Sequence, residues 1–288
     1  MQAIDMPDSA VLLIHCPDRK GIVAAISGFL YSHGANILHA DQHQDHDLGL
    51  FFMRVEWDVE DFDLDEAAFH AAFSPLAGGF QMRWKLAYSN VRPAVAIFVS
   101  QYQHCLLDLL YRRQIGDLAC SVPLIISNHP AARELAGFYQ VPYYHIAAGD
   151  DRTRTEAAQL ALLEQHRIDL IVLARYMQIL SKDFVERYPQ RIINVHHSFL
   201  PAFSGARPYH RAFERGVKLI GATSHYATED LDEGPIIEQD VVRVSHRDGL
   251  DDLLRRGRDL EKVVLSRAVR WHIDHRILVY DRKTVIFD

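Results

Sequence analysis

The stretch Val95-Ala-Ile-Phe-Val99 is apolar at every position, and two similar runs follow at 123–126 and 170–173, with amphipathic segments between them. Strands that are apolar on both faces are typical of parallel sheets, because helices cover such sheets on both sides. From about residue 94 onward the sequence therefore predicts an open, mostly parallel sheet of the α/β class. A long amphipathic helix is expected near the end, at about 248–272.

The residues that precede this sheet follow a different pattern. The predicted elements are strands at about 10–15, 36–42, 50–57 and 80–87 and helices at about 22–30 and 64–74. Within 50–57 the apolar residues alternate, as in a sheet with one buried face. The order β-α-β-β-α-β predicts a ferredoxin-like α+β domain over residues 1–88, followed by a linker at 89–93 and a second domain over 94–288.

Composition narrows the class of protein. The 288 residues carry a net charge of −7, whereas a protein whose main partner is nucleic acid normally has a basic excess. The three cysteines are scattered and odd in number, which argues against a disulfide framework. No apolar run reaches the roughly 18 residues of a membrane helix, and the start of the chain lacks the basic and apolar regions of a signal peptide. We therefore expect a cytoplasmic protein with neither nucleic acid nor membrane as a partner.

The densest chemical signal is Arg191-Ile-Ile-Asn-Val-His-His-Ser-Phe-Leu-Pro201. Asn194 and His196 are two residues apart at the end of a predicted strand, so their side chains project from one face. An amide and an imidazole placed together could polarise one carbonyl oxygen, and open α/β sheets bind ligands at such strand ends. From spacing alone, two ordinary strand-end polar residues are the better explanation of the pair.

A second signal lies some thirty residues later, in the segment 221–237, where a predicted strand leads into a loop with four carboxylates and then Gly234-Pro235. One of these carboxylates could pair with His196 or draw a proton from water. Taken singly, each acid is better explained as part of a solvated acidic loop.

Together the two segments resemble the formyltransferase family that uses 10-formyltetrahydrofolate, whose signature is Asn-x-His, then Ser-x-Leu-Pro, then Asp-x-Gly-Pro. The resemblance covers about residues 93–288 and implies a Rossmann-like sheet. It implies that Asn194 and His196 are the catalytic pair, that Asp232 is the essential acid and that His225 lies beside them. It also implies 10-formyltetrahydrofolate as substrate, with no permanently bound cofactor and no metal.

The same resemblance assigns a folate pocket. The segment Leu173-Ala-Arg-Tyr-Met-Gln-Ile-Leu180 resembles the one whose backbone binds the pterin ring, and the loop at 228–232 resembles the other half of that pocket. The implied folate-binding residues are Arg175, Met177, Gln178, Ile179, Leu180, Thr228, Glu229, Asp230 and Leu231.

The N-terminal part resembles an ACT domain, on the stretches Cys16-Pro-Asp-Arg-Lys-Gly-Ile-Val23 and His33-Gly-Ala-Asn-Ile37. An ACT domain fused ahead of a formyltransferase fold is the layout of the formyltetrahydrofolate deformylase family, which the segments 40–43 and 276–280 also resemble. The layout implies a homo-oligomer, with glycine or methionine as the candidate amino-acid effector. The implied effector site consists of Asp18, Arg19, Lys20, Gly21 and Ile22.

One feature of the sequence favours hydrolysis over formyl transfer. The strand that ends at Val99 leads into Ser100-Gln-Tyr-Gln-His-Cys105, which contains no glycine. The relatives that transfer the formyl group to a ribonucleotide bind its phosphate there with a glycine-rich turn, which lets backbone N–H groups approach the anion. Water activated by Asp232 is then the expected nucleophile, with the oxyanion stabilised by Asn194 and protonated His196. The formate would supply purine synthesis and balance one-carbon pools. The alternatives are formyl transfer to an unidentified amine and a non-catalytic folate and amino-acid sensor.

Overall fold

The structure, a computed structural model, describes residues 8–149, 151–202 and 207–288. The segment 1–7, which the sequence predicts not to be a signal peptide, lies outside the described residues. In chain order the elements are β1 Ser9–Pro17, α1 Ile22–Ser32, β2 Ile37–Asp45, β3 Leu50–Asp58, α2 Glu66–Phe80, β4 Arg83–Tyr88, β5 Ala94–Val99, α3 His104–Gln114, β6 Ser121–Ser127, a 3-10 turn Pro130–Ala132, α4 Arg133–Phe138, β7 Tyr143–His145, α5 Arg152–Gln165, β8 Leu170–Ala174, α6 Lys182–Arg187, β9 Ile192–His196, α7 Pro208–Arg215, β10 Leu219–Tyr226, β11 Ile236–Arg243, α8 Leu250–Ile273, β12 Ile277–Tyr280 and β13 Lys283–Ile286.

The chain forms two compact units. The first runs to Val91 and also includes Asp274–Tyr280 and Val285–Asp288, and the second comprises Arg92–Ile273 and Asp281–Thr284. The division after Val91 falls inside the predicted linker at 89–93, and the domain boundaries themselves stay a prediction. No helix of the described residues is both long and apolar enough to cross a membrane.

The first unit contains a four-stranded antiparallel sheet in the order β2-β3-β1-β4. This is the sheet of a ferredoxin-like domain, so the predicted fold class is confirmed here. The side chains of α1 and α2 pack on one face of the sheet with residues of β1 and β3, and Ile14, Ile26, Trp57 and Phe69 are fully buried in this core. The helix α2 continues beyond its predicted end and stops before Gln81, which is left-handed.

The prediction that this sheet has only one buried face is wrong. Phe52 points away from the helices, yet it is fully buried in a second cluster with Val285 and Phe287. Arg54 is also buried on this face, where its guanidinium donates to Glu56 Oε2 at 2.9 Å and to the His275 carbonyl at 3.1 Å. Residues near the C-terminus cover this face. The pattern of apolar residues within 50–57 cannot show that a segment so distant in the sequence packs there.

The second unit contains a seven-stranded sheet in the order β11-β10-β9-β8-β5-β6-β7. Its strands from β5 to β9 are parallel, whereas β10 and β11 are antiparallel to their neighbours. The predicted mostly parallel α/β fold is therefore confirmed. The chain proceeds from β5 to β6 and β7 on one side of β5, and then from β8 to β11 on its other side. Ligands of such sheets bind at the carboxyl ends of the strands near this point of reversal.

Candidate active site

Strand pairing brings Asn194, His196 and His225 together. Asn194 and His196 lie on one face of β9, and the antiparallel register places Asn194 opposite His225 of β10. The Asn194 Nδ2 atom lies 3.2 Å from His225 Nε2. The backbone fold alone thus assembles three of the four residues that the sequence predicts for the catalytic cluster.

A glycine brings the fourth residue, Asp232, back to the sheet. A Cβ atom at Gly234 would lie 1.7 Å from the Tyr226 carbonyl oxygen, so only glycine lets the loop return so closely to the end of β10. The Tyr226 N–H donates to the Pro235 carbonyl at 3.0 Å and closes this loop. Asp232 has a φ of 60°, a left-handed conformation that is costly for a residue with a side chain.

Asp232 pairs with both histidines. Its Oδ2 lies 3.1 Å from His196 Nδ1, and its Oδ1 lies 3.7 Å from His225 Nε2. Burial opposes ionisation of this carboxyl, but the His196 and His225 side chains outweigh it and hold the pKa of Asp232 far below its usual range. Asp232 is therefore a carboxylate at neutral pH.

The other ring nitrogen of His196 has no such partner. His196 Nε2 is buried and makes no hydrogen bond to any described residue. A buried polar atom without a partner is costly, and such atoms occur where a ligand supplies the missing bond. With Nδ1 directed at Asp232, Nε2 is the atom that is left for a substrate.

A cleft adjoins this cluster and contains most of the predicted folate residues. Its lining residues are Leu173, Gln178, Ile179, Leu180, Val185, Asn194, His225, Ala227, Thr228, Glu229, Asp230, Leu231 and Asp232. Arg175 and Met177 are not among the described residues that line it. Met177 is 54% exposed, whereas Arg175 is only 9% exposed and is directed elsewhere.

Arg175 belongs to a buried polar cluster that the sequence did not reveal. Its Nε lies 3.4 Å from Oε2 of Glu261, a carboxylate that also contacts His104 Nε2 at 2.7 Å and the Tyr209 hydroxyl at 3.1 Å. Burial opposes ionisation of Glu261, but His104 and Arg175 lower its pKa below the ordinary value. Possible metal ligands from His104, Cys105 and Glu261 lie within 4.8 Å of one another. The Arg175 guanidinium already supplies positive charge at this carboxylate and so disfavours a metal ion.

The predicted effector residues lie at the turn between β1 and α1. Asp18, Arg19, Gly21 and Ile22 line a shallow cavity together with residues of β2 and β3, and Lys20 is not among the described residues that line it. Gly21 has a φ of 94° where α1 begins, a conformation that favours glycine. Arg19 lies over the Phe80 ring at 4.3 Å.

Comparison with known proteins places the chain in a family. Residues 94–269 match the formyl transferase family, and residues 10–73 match the ACT domain family. A formyltetrahydrofolate deformylase of Synechocystis sp. is 56% identical to this chain over 97% of it and 98% of its own length. One of Bacillus subtilis is 51% identical over 98% of this chain and 94% of its own length. The chain belongs to the formyltetrahydrofolate deformylase family.

Solved structures agree with membership of the deformylase family. A formyltetrahydrofolate deformylase from Pseudomonas syringae pv. tomato is similar to this chain with a TM-score of 0.96 and 47% identity, over 99% of this chain and 96% of that one. A glycinamide ribonucleotide transformylase from Symbiobacterium toebii has a TM-score of 0.66 and 30% identity, over 71% of this chain and 98% of that one. The similarity to deformylases therefore covers nearly the whole chain, and the resemblance predicted from the sequence is confirmed.

Proposed function

We propose that this protein hydrolyses 10-formyltetrahydrofolate to formate and tetrahydrofolate, with Asn194, His196 and Asp232 as its catalytic residues. The observation that carries the assignment is that these three side chains lie together beside a cleft, with His196 paired to Asp232, in a chain that belongs to the deformylase family. Water attacks the formyl carbon, the bond from that carbon to N10 breaks, and N10 gains a proton. The formate released would supply purine synthesis.

Asn194 and His196 are the hydrogen-bond donors of the site. The Asn194 amide and the unpartnered His196 Nε2 lie on one face of β9, where both can donate to the formyl oxygen as negative charge develops on it. A single donor of this kind typically contributes about 10²–10³ in rate.

Asp232 is the group that activates the attacking water. Its Oδ2 is occupied by His196, whereas its Oδ1 lies 3.7 Å from the nearest histidine nitrogen, beyond hydrogen-bond distance. Oδ1 can therefore accept a hydrogen bond from the attacking water, orient it and take up its proton. The left-handed backbone at Asp232 is the strain that this placement requires.

The folate would occupy the cleft that extends from this cluster. Gln178, Ile179 and Leu180 contribute one wall, and the residues from Thr228 to Leu231 contribute the other. Folate bound there would have N10 and its formyl group near Asn194, which lines the same cleft.

Formyl transfer to an amine is the competing chemistry, and one assay separates the two. The protein is incubated with 10-formyltetrahydrofolate without amine, and formate and tetrahydrofolate are quantified. Equal amounts of the two products, with no formylated amine formed when glycinamide or other amines are added, support hydrolysis. Product formation that depends on an amine, with formylated amine in place of formate, would show transfer, and no turnover of either kind would favour a non-catalytic sensor.

We infer that the ACT domain mediates homo-oligomerisation and binds glycine or methionine at the cavity formed by Asp18, Arg19, Gly21 and Ile22. The edge strand β2 supports this, because its residues are mostly exposed and an exposed edge can pair with or pack against a second copy.

A further inference from the structure

The helix α5 buries polar residues where a surface helix normally buries apolar ones. Its buried residues are Glu156, Gln159 and Leu163, three and four positions apart and so on one face. A buried carboxylate is costly unless hydrogen bonds satisfy it, and apolar residues of similar volume often give a more stable protein. The catalytic steps above use neither Glu156 nor Gln159, so their burial needs another explanation.

Both side chains bind one loop, residues 175–181. Glu156 Oε1 accepts the Ser181 N–H at 2.8 Å, and Glu156 Oε2 accepts the Ser181 hydroxyl. Gln159 Nε2 donates to the Tyr176 hydroxyl at 2.7 Å, and both of these side chains are buried. The loop is therefore held near its beginning by Gln159 and at its end by Glu156.

The loop needs such support because its backbone is strained and its middle is exposed. Arg175 and Met177 are left-handed, with φ values of 63° and 61°, although neither is glycine. Conformations of this kind persist only where the surroundings impose them. In the middle of the loop, Met177 and Ile179 are 54% and 59% exposed, so burial contributes little there.

We propose that Glu156 and Gln159 are positioning residues that hold loop 175–181 in the shape that binds the pterin ring. The proposal rests on the proposed function, because it takes the cleft beside Gln178, Ile179 and Leu180 as the folate site. Neither residue lines the cleft, so each acts through the loop and not by contact with substrate. A preformed loop spares the protein the entropy of ordering it when folate binds. We call the hydrogen bonds from Glu156 and Gln159 to this loop the clamp. Loss of the clamp therefore weakens folate binding and leaves the chemical step intact.

The test is Glu156→Gln, with Glu164→Gln as the matched control on the exposed face of the same helix. We expect Glu156→Gln to raise the KM for 10-formyltetrahydrofolate and the Kd for tetrahydrofolate by about fivefold or more, the effect of one net hydrogen bond. The kcat should stay within about twofold, and Glu164→Gln should change nothing. Tyr176→Phe removes only the hydroxyl that Gln159 holds, and it should shift KM and Kd in the same direction. This second variant keeps the test possible if Glu156→Gln does not fold.

A folded Glu156→Gln or Tyr176→Phe protein with unchanged KM and Kd would overturn the proposal. A double-mutant cycle with Ser181→Ala adds a second criterion, since the effects of the two substitutions should be less than additive, and additive effects would count against the clamp. The Kd is measured without turnover. Weaker tetrahydrofolate binding therefore supports the clamp even if the wild-type protein releases no formate, and formate release with unchanged Kd rejects the clamp alone.

Discussion

His196 Nδ1 and Asp232 Oδ2 lie 3.1 Å apart, although the two residues are 36 positions apart in the chain. This pair links β9, the strand that carries Asn194 and His196, to the loop that carries Asp232. In the proposed mechanism it fixes the imidazole ring so that Nε2 is left for the substrate, and it leaves Asp232 Oδ1 for water. The proposed chemistry depends on this contact more than on any other.

Replacement of Asp232 by Asn should remove nearly all hydrolysis, with a fall of about 10²–10⁴-fold in kcat, because the amide cannot take up the proton of water. The matched control is Asp230→Asn. Asp230 is 61% exposed and lines the proposed folate cleft, so its replacement should act on KM and change kcat little. Steady-state rates of formate release measure both variants. Equal losses at the two positions would show that Asp232 has no special role.

Replacement of Gly234 by Ala should also reduce the rate, by at least about tenfold, although residue 234 is not among the described residues that line the cleft. The new methyl group would overlap the Tyr226 carbonyl oxygen, so the loop must move and carry Asp232 away from His196. A shift of about 1 Å at a catalytic group can cost about 10²-fold. The control is Gly249→Ala, where the nearest atom would be 3.8 Å from the added Cβ. A Gly234→Ala protein with the wild-type rate would mean that the loop position is not critical.

Stability should decrease as the pH falls from about 6.5 toward 4. Burial, assisted by Arg175, lowers the pKa of His197 to about 3, and burial assisted by Lys85 and Arg54 lowers the pKa of His275 to about 4. Both rings stay neutral in the folded state, while the unfolded chain binds protons below about pH 6.5. The unfolded state is thereby favoured, by up to about 2 kcal/mol per histidine at pH 5.

Urea unfolding at pH 7, 6 and 5 measures this slope. His275→Gln should make the free energy of unfolding less dependent on pH, whereas the exposed His46→Gln should keep the wild-type slope. If His275→Gln and the wild-type protein lose the same free energy between pH 7 and 5, His275 does not contribute to the acid sensitivity.

Glycine or methionine should change the rate of formate release, and Asp18→Ala should abolish that response without lowering the basal rate. Asp18 lines the predicted effector cavity and accepts a hydrogen bond from Gln44 at 3.1 Å. Asp47→Ala, at an exposed turn, is the control. Light scattering of the wild-type protein should show an assembly larger than a monomer. A monomer would contradict the role in assembly, and a rate that ignores every amino acid would contradict the role of the effector.

Point variants test the ACT domain better than its deletion does. Val285 and Phe287 pack on the sheet face of the first unit together with Phe52. Removal of residues 1–88 would therefore expose these C-terminal side chains to water and destabilise the remaining protein for reasons unrelated to regulation.

The sequence predicted both folds, and it predicted that Asn194, His196 and Asp232 lie together, because the signals are local. Apolar runs identify strands, and Asn194, His196 and Asp232 belong to short motifs with fixed spacing. It did not predict the cover on Phe52 or the burial of Arg54, whose partner His275 is 221 residues away. Contacts over such distances leave no periodic pattern in the chain.

Three buried polar residues were missed for a related reason. Glu156, Gln159 and Glu261 lie on helices whose other faces are charged, so the sequence gives no sign that these particular residues are buried. Only the packing of α5 and α8 in the second unit shows it, and only the hydrogen bonds show what each residue holds.

The most direct test of the central claim is the origin of the oxygen in the product. The protein is incubated with 10-formyltetrahydrofolate in ¹⁸O-labelled water without amine, and the released formate is analysed by mass spectrometry. Attack by water on the formyl carbon predicts that each formate carries one solvent oxygen and that Asp232→Asn forms almost none. Formate without solvent oxygen, or release at the wild-type rate by Asp232→Asn, would contradict hydrolysis by this site.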